Sequence, residues 1–87
     1  MDREVLRQML REKLEFARDE PITSMDDNVN LRTDLGLDSI DMVSLIIDMQ
    51  TEYGIMMESE ELEPIVKVGQ LLDVLVVKLA HVKREAA

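Results

Sequence analysis

From Val5 to Ala17 the apolar positions Leu6, Leu10, Leu14 and Ala17 recur at intervals of three and four residues, with Val5, Met9 and Phe16 beside them. That period places them on one face of a helix, and Arg3, Arg7, Arg11 and Arg18 then fall on the outer face. Between Asp19 and Asp38 the pattern stops. Pro21, Thr23, Ser24, the run Asp26-Asp27-Asn28 and Gly36 interrupt apolar residues too scattered for either a helical or a strand period. A loop of this length in a small domain often carries function, and Ile22, Val29, Leu31, Leu35 and Leu37 are expected to pin it to the helices. A second helix is expected from Asp38 or Ser39, both good capping residues, to about Tyr53, where Gly54 supplies a stop. Asp41, Ser44, Asp48, Thr51 and Glu52 form one polar stripe on it. Met42, Val43, Leu45, Ile46, Ile47, Met49, Gln50 and Tyr53 surround the remainder, an apolar arc wider than one core contact needs. Part of the set Ile40, Met42, Val43 and Ile47 is therefore expected at the surface, as on a partner-binding helix. Glu58 to Pro64 reads as one or two helical turns. From Lys67 to Arg84 the residues Val68, Leu71, Leu72, Leu75 and Leu79 mark a last long helix, with Lys83 and Arg84 suited to the negative pole of its dipole.

The pattern predicts an all-α fold: a small four-helix bundle of three long helices and one short, with a long loop between helices 1 and 2, and residues 1–87 as a single domain. Composition supports it, since Phe16 and Tyr53 are the only aromatics and three Gly and two Pro leave little turn chemistry for a sandwich or barrel. A chain of 87 residues buries only about 60% of its unfolded surface, which leaves room for a core but not for a deep enzyme cleft. With 19 acidic against 10 basic side chains, the formal charge of −9 repels phosphate backbones and anionic lipid. Neither nucleic acid binding nor membrane insertion is expected, and a basic protein surface is the natural partner. No apolar run reaches the length of a membrane span, and Met1-Asp2-Arg3-Glu4 lacks the basic-then-apolar layout of a secretory signal; a cytoplasmic monomer is expected. The chain has no cysteine, so disulfides, thiolate metal sites and a cysteine nucleophile are excluded. Any thiol chemistry must come from an attached group.

The segment Asp34-Leu35-Gly36-Leu37-Asp38-Ser39-Ile40-Asp41 places a serine in the first turn of an acidic helix directly after a glycine-bearing loop. Taken alone, Ser39 is as well explained as a cap that satisfies a free backbone N–H. The wider pattern adds a second explanation. Leu35-Gly36-Leu37-Asp38-Ser39-Ile40 resembles the attachment signature of acyl carrier proteins. Asp41 and Val43 stand at that family's positions, Glu52-Tyr53-Gly54-Ile55 is similar to its acidic-aromatic close of the second helix, and Glu60-Glu61-Leu62, Ile65 and Val68 resemble its third helix and the entry to the fourth.

The resemblance implies that a phosphopantetheinyl transferase moves 4'-phosphopantetheine from coenzyme A onto the Ser39 hydroxyl, within a cofactor-bearing motif that includes Asp38. The thiol of that arm would carry acyl intermediates as thioesters between acyl-transferring, condensing and modifying enzymes of fatty-acid, polyketide or specialised lipid synthesis. An anionic phosphate at a helix N-terminus meets free N–H groups and the positive dipole end. No base stands near Ser39 in the pattern, and His81, the only histidine, lies far along the last helix; Ser39 is expected to be modified, with the activating base on the transferase, and the chain to be a carrier, not an enzyme. By the same resemblance the second helix would dock on basic patches through Ile40, Asp41, Val43, Ile47, Asp48 and Glu52, although the acids equally fit a solvated face. Met9 and Met49 suit a core, yet flexible thioethers, seven in all, also suit a cavity for acyl chains.

The chain departs from the family at Ser44, Gln50 and Thr51, where acids are common, and at Lys67, which replaces the threonine that usually caps the fourth helix. The first three weaken the acidic stripe; the fourth suggests a less firmly fixed helix start. Two rivals remain. Asp26-Asp27-Asn28-Val29-Asn30 opens like a calcium loop, but Leu31 and Leu37 stand where the turn glycine and the closing glutamate belong. A helical adaptor that binds a partner without modification would leave Ser39 merely a cap.

Overall fold

The computed structural model describes residues 2–86, and their side chains apart from those of 59 and 82–86. The expectation for Lys83 and Arg84 at the last helix's end, and anything resting on Met1, lies outside the described residues. Four helices appear in chain order: α1 (Arg3–Arg18), α2 (Ser39–Tyr53), α3 (Ser59–Leu62) and α4 (Val68–Ala86). Each has a local cause. Asp2 starts α1 by accepting from the Glu4 N–H, and Asp19, in the left-handed region at φ 55°, ends it. Gly54, at φ 71°, closes α2 with its N–H donating to the Gln50 carbonyl at 2.9 Å. Only glycine takes that conformation without a steric cost.

Leu6, Leu10 and Leu14 of α1 meet Met42, Leu45, Ile46 and Met49 of α2 and Val68, Leu71, Leu72, Leu75 and Leu79 of α4 in one buried cluster. Ile22, Met25, Leu31, Leu35 and Leu37 from the long loop, with Ile55, Met57 and Ile65 around α3, complete it. The loop residues expected as pins are thus in the core or, for Val29, packed against it. The α1 stripe is narrower than its sequence pattern. Ala17 and Val5 are exposed and Phe16 is 91% exposed, whereas the i, i+4, i+8 leucines lie in the core with Met9 packed against it. Of the set Ile40, Met42, Val43 and Ile47, part of which is expected at the surface, Ile40, Val43 and Ile47 are exposed and Met42 is buried.

The α1 arginines differ most from expectation. They lie off the leucine stripe, as their spacing requires, but that side of α1 is met by the long loop, on which they form clamps. The Arg7 guanidinium donates to the Met25 carbonyl at 2.6 Å and pairs with Asp27 at 2.8 Å, and Arg11 donates to the Ile22 carbonyl at 2.6 Å. Arg3 bridges Asp27, Asp73 and the Gly69 carbonyl, so α1, loop and α4 share one cation. Spaced four residues apart, Arg3, Arg7 and Arg11 share a helix edge, and that edge faces loop carbonyls that need donors. The Arg7 and Arg3 guanidiniums hold the Asp27 carboxyl below its ordinary range, so in this structure that carboxylate of the supposed calcium loop is an ion-pair partner.

The loop is stitched to α4 as well as to α1. An antiparallel bridge joins Asn30 to Lys67, with the Leu31 N–H donating to the Val66 carbonyl at 2.8 Å. The first N–H groups of α4 are taken up by the loop: Val68 donates to the Val29 carbonyl and Gly69 to that of Asp27. Gln70 reaches back to accept from the N–H groups of Val66 and Lys67, at 2.8 and 2.9 Å. The helix start that lost its threonine is therefore fixed by Gln70 and by loop carbonyls, contrary to the expectation from Lys67.

Candidate functional site

Asp38 and Asp41 build the start of α2 reciprocally. An Asp38 carboxylate oxygen accepts from the Asp41 N–H at 2.8 Å, and the Asp41 carboxylate accepts from the Asp38 N–H at 3.1 Å. This is the capping box with aspartates at both positions. Capping therefore falls to Asp38, not to Ser39, which is the first helical residue and is exposed. Among the described residues the N–H groups of Ser39 and Ile40 donate to nothing. They are the unsatisfied donors that a helix start offers an anion.

The chain arrives at this point along a fixed track. Asn30 gathers a turn over residues 31–35: its side-chain oxygen accepts from the Arg32 and Thr33 N–H groups, while Asp34 accepts from its own N–H at 2.8 Å. Leu37 donates to the Leu31 carbonyl at 3.0 Å, folding the segment back on itself two residues before the serine. Gly36 makes the reversal possible at φ 71°, with the Arg18 guanidinium against it.

Beside Ser39 lies a groove of about 160 Å³ between α2 and the α3 segment. Met42, Val43, Leu62 and Ile65 form its apolar lining, and Ser39, Arg32 and Glu63 its polar one. An exposed hydroxyl, free N–H groups and an adjoining apolar groove fit a phosphate-linked arm with an apolar load. Met42, the buried member of the set of which part is expected at the surface, lines this groove. Arg32 and Glu63 were missed, since neither belongs to a recognisable pattern.

Along α2, Ile40, Val43 and Ile47 are exposed at 75%, 44% and 53%, three apolar side chains in water on the helix that begins at Ser39. The acids are less free than the sequence suggests. Asp41 is half-buried in its cap, and Glu52 pairs with Lys13 of α1. That hydrogen bond, with the charge of Asp48 behind it, raises the Lys13 pKa above its ordinary value. Asp48 and Ser44 are exposed. Gln50, where an acid is more usual, donates its amide to the Met57 carbonyl at 3.0 Å, a bond that no carboxylate could make. His81 is exposed on α4 and is not among the residues lining the groove at Ser39.

Residues 4–75 match the profile of a family described as the phosphopantetheine attachment site. The chain is 32% identical over 83 residues to an acyl carrier protein of Saccharopolyspora erythraea, covering 92% of this chain and 87% of that one. It is 33% identical over 57 residues to an acyl carrier protein of Thermotoga maritima, covering 66% of this chain and 70% of the relative. A crystal structure of an acyl carrier protein from Thermotoga maritima superposes with a TM-score of 0.83 at 28% identity, covering 94% of this chain and 95% of that one.

Proposed function

Since the chain belongs to the acyl carrier protein family, whose phosphopantetheine attachment domain spans most of its length, we propose that Ser39 is the residue that takes the covalent 4'-phosphopantetheine arm. The family fixes the broader role: a carrier of acyl groups on that arm, served by a phosphopantetheinyl transferase and by biosynthetic enzymes. No helix among the described residues is long and apolar enough to cross a membrane. The observation that carries the assignment is the exposed Ser39 hydroxyl at the first position of α2, beside unsatisfied N–H groups and an apolar groove. The carboxylates next to the serine in sequence, Asp38 and Asp41, are engaged in the cap, and the activating base is assigned to the transferase. The chain is then a substrate of enzymes and has no catalytic role of its own. Asp38 contributes by fixing the helix start, not by touching the arm.

On the same reading the chain works as one cytoplasmic, monomeric domain of 87 residues, passing acyl intermediates between acyl-transferring, condensing and modifying enzymes of fatty-acid, polyketide or specialised lipid synthesis. Docking runs along α2: Ile40, Val43 and Ile47 supply exposed apolar contact and Asp48 an exposed negative charge, with Glu52 and Asp41 contributing what their internal partners leave. Apolar contact gives affinity, while charge steers encounter with a basic partner and helps it let go. The unmodified adaptor is not favoured by the family membership.

Incubation with coenzyme A and a broad-specificity transferase, followed by intact mass, tests the attachment point. One added phosphopantetheine is expected on the wild type and none on Ser39→Ala; addition to the alanine variant would move the attachment elsewhere.

A further inference from the structure

We propose that Arg32 is the chain's own counter-ion for the phosphodiester on Ser39, holding the root of the arm at the groove between α2 and the α3 segment; the proposal rests on the assignment of Ser39 above. Three observations lead to it. The first is placement. Asn30 holds the N–H of Arg32 inside the turn, Leu31 is bonded to Val66 on one side and to Leu37 on the other, and Arg32 and Ser39 line the same groove. The second is the state of its charge. Arg3, Arg7, Arg11 and Arg18 each hold a carboxylate, whereas the Arg32 guanidinium makes no ion pair or hydrogen bond among the described residues and is exposed.

The third observation is the sign of the side chains that adjoin Ser39 in the first turn or share its groove. The carboxylates of Asp38 and Asp41 flank the serine, and Glu63 lines the groove. An anionic phosphodiester joined to Ser39 meets these negative charges, and apart from Arg32 the side chains lining the groove offer it no positive one. A guanidinium in the same groove supplies the missing positive charge, and its planar fork matches two phosphate oxygens at once. Without an anion there, an unpaired arginine amid acids on a chain of charge −9 has no assigned role.

The test compares apo and holo forms of wild type, Arg32→Gln and Arg32→Lys, with modification verified by intact mass. Two quantities are read at low salt: the difference in Tm between holo and apo forms, and the ³¹P chemical shift of the phosphodiester. The apo form of each variant carries any purely structural effect of the substitution, so only the difference reports on the arm. For Arg32→Gln the holo-minus-apo difference should fall by about 1–5 °C relative to wild type, as for an exposed ion pair in a domain of this size, and the ³¹P resonance should move. Arg32→Lys, which keeps the charge but loses the fork, should fall between the two. In about 1 M salt, where screening acts within about 3 Å, the Tm contrast should shrink. Holo protein by mass with the same Tm difference and the same ³¹P shift in wild type and Arg32→Gln overturns the role of Arg32 and leaves Ser39 standing. A wild type that takes no phosphopantetheine overturns the assignment of Ser39 and this proposal with it.

Discussion

Replacing Gly69 by alanine sets helix propensity against tertiary packing, and the structure says which prevails. Gly69 occupies the second position of α4, where alanine is intrinsically preferred by up to about 1 kcal/mol. A Cβ built there falls 2.9 Å from Asp27 Cβ, 3.1 Å from its Cγ and 3.2 Å from its carbonyl oxygen. These atoms belong to the base of a side chain and to backbone, and they are held: the Asp27 carboxylate by Arg3 and Arg7, its carbonyl by the Gly69 N–H at 3.1 Å. Relief requires moving the loop away from α4, which overpacks or opens the contact at about 1–3 kcal/mol and weakens at least one hydrogen bond worth about 1 kcal/mol. The balance is a loss of about 1–3 kcal/mol, or a fall in Tm of roughly 5–20 °C for a domain of this length. Thermal unfolding of the apo protein followed by far-ultraviolet circular dichroism measures it. An unchanged or raised Tm would refute the reasoning, because it would mean that the loop yields freely and that the stitch between Asp27 and α4 contributes nothing.

Acid provides a second check on that stitch. Hydrogen bonds from Arg7 and Arg3 lower the Asp27 pKa below 3.8, and one from Lys78 lowers that of Glu61 below 4.5. A depressed carboxylate adds stability in full above its unfolded value and loses it as the pH falls through the folded one. Asp27→Asn should therefore have a lower Tm than wild type at neutral pH and converge with it in acid, below the ordinary carboxylate range; a gap that stays constant across the titration would exclude Asp27 from the acid response. On the docking face proposed for α2, Asp48→Lys should slow loading by a partner enzyme several-fold at low salt and leave Tm within the small range typical of exposed sites. Asp48 is the informative position because reversal at Asp41 would break the cap as well; unchanged loading kinetics for Asp48→Lys would remove it from the interface.

The helices, and the place of Ser39 at the start of α2, are legible in the sequence because their causes are local. Leu6, Leu10 and Leu14 announce α1 by spacing alone, and Asp38 and Gly54 bracket α2 through capping chemistry that acts over one turn. What the sequence hid acts over distance. Nothing in Arg7 says that its guanidinium will meet the Met25 carbonyl, or in Lys67 that Gln70 and the loop will do the capping a threonine usually does. The α1 arginines were misjudged for the same reason: periodicity reports which way a residue faces on its own helix, but not whether that side is met by solvent or by another segment. Phe16 shows the converse, an aromatic beside the core stripe that finds no partner within the described residues. The groove at Ser39 was half legible, since Met42 and Val43 follow the serine in sequence while Leu62 and Ile65 come from the far side of Gly54.

Those long-range contacts bear directly on function. A carrier hands over a load on a flexible tether, so the point of attachment must hold its position while the tether moves. Twenty residues of loop would ordinarily leave such a point loose, and here residues 19–38 directly precede Ser39, the proposed point of attachment. They are restrained from both sides: from α1 by arginine donors to the Met25 and Ile22 carbonyls, and from α4 by the Asn30–Lys67 bridge and the Val68 and Gly69 N–H groups. The reciprocal aspartate cap then fixes the register of the first turn, so Ser39 can shift neither along the helix nor into the core without breaking it. Rigidity at the serine thus comes from residues distributed over α1, loop and α4, and substitutions far from Ser39, Gly69→Ala foremost, would disturb presentation of the hydroxyl without touching it.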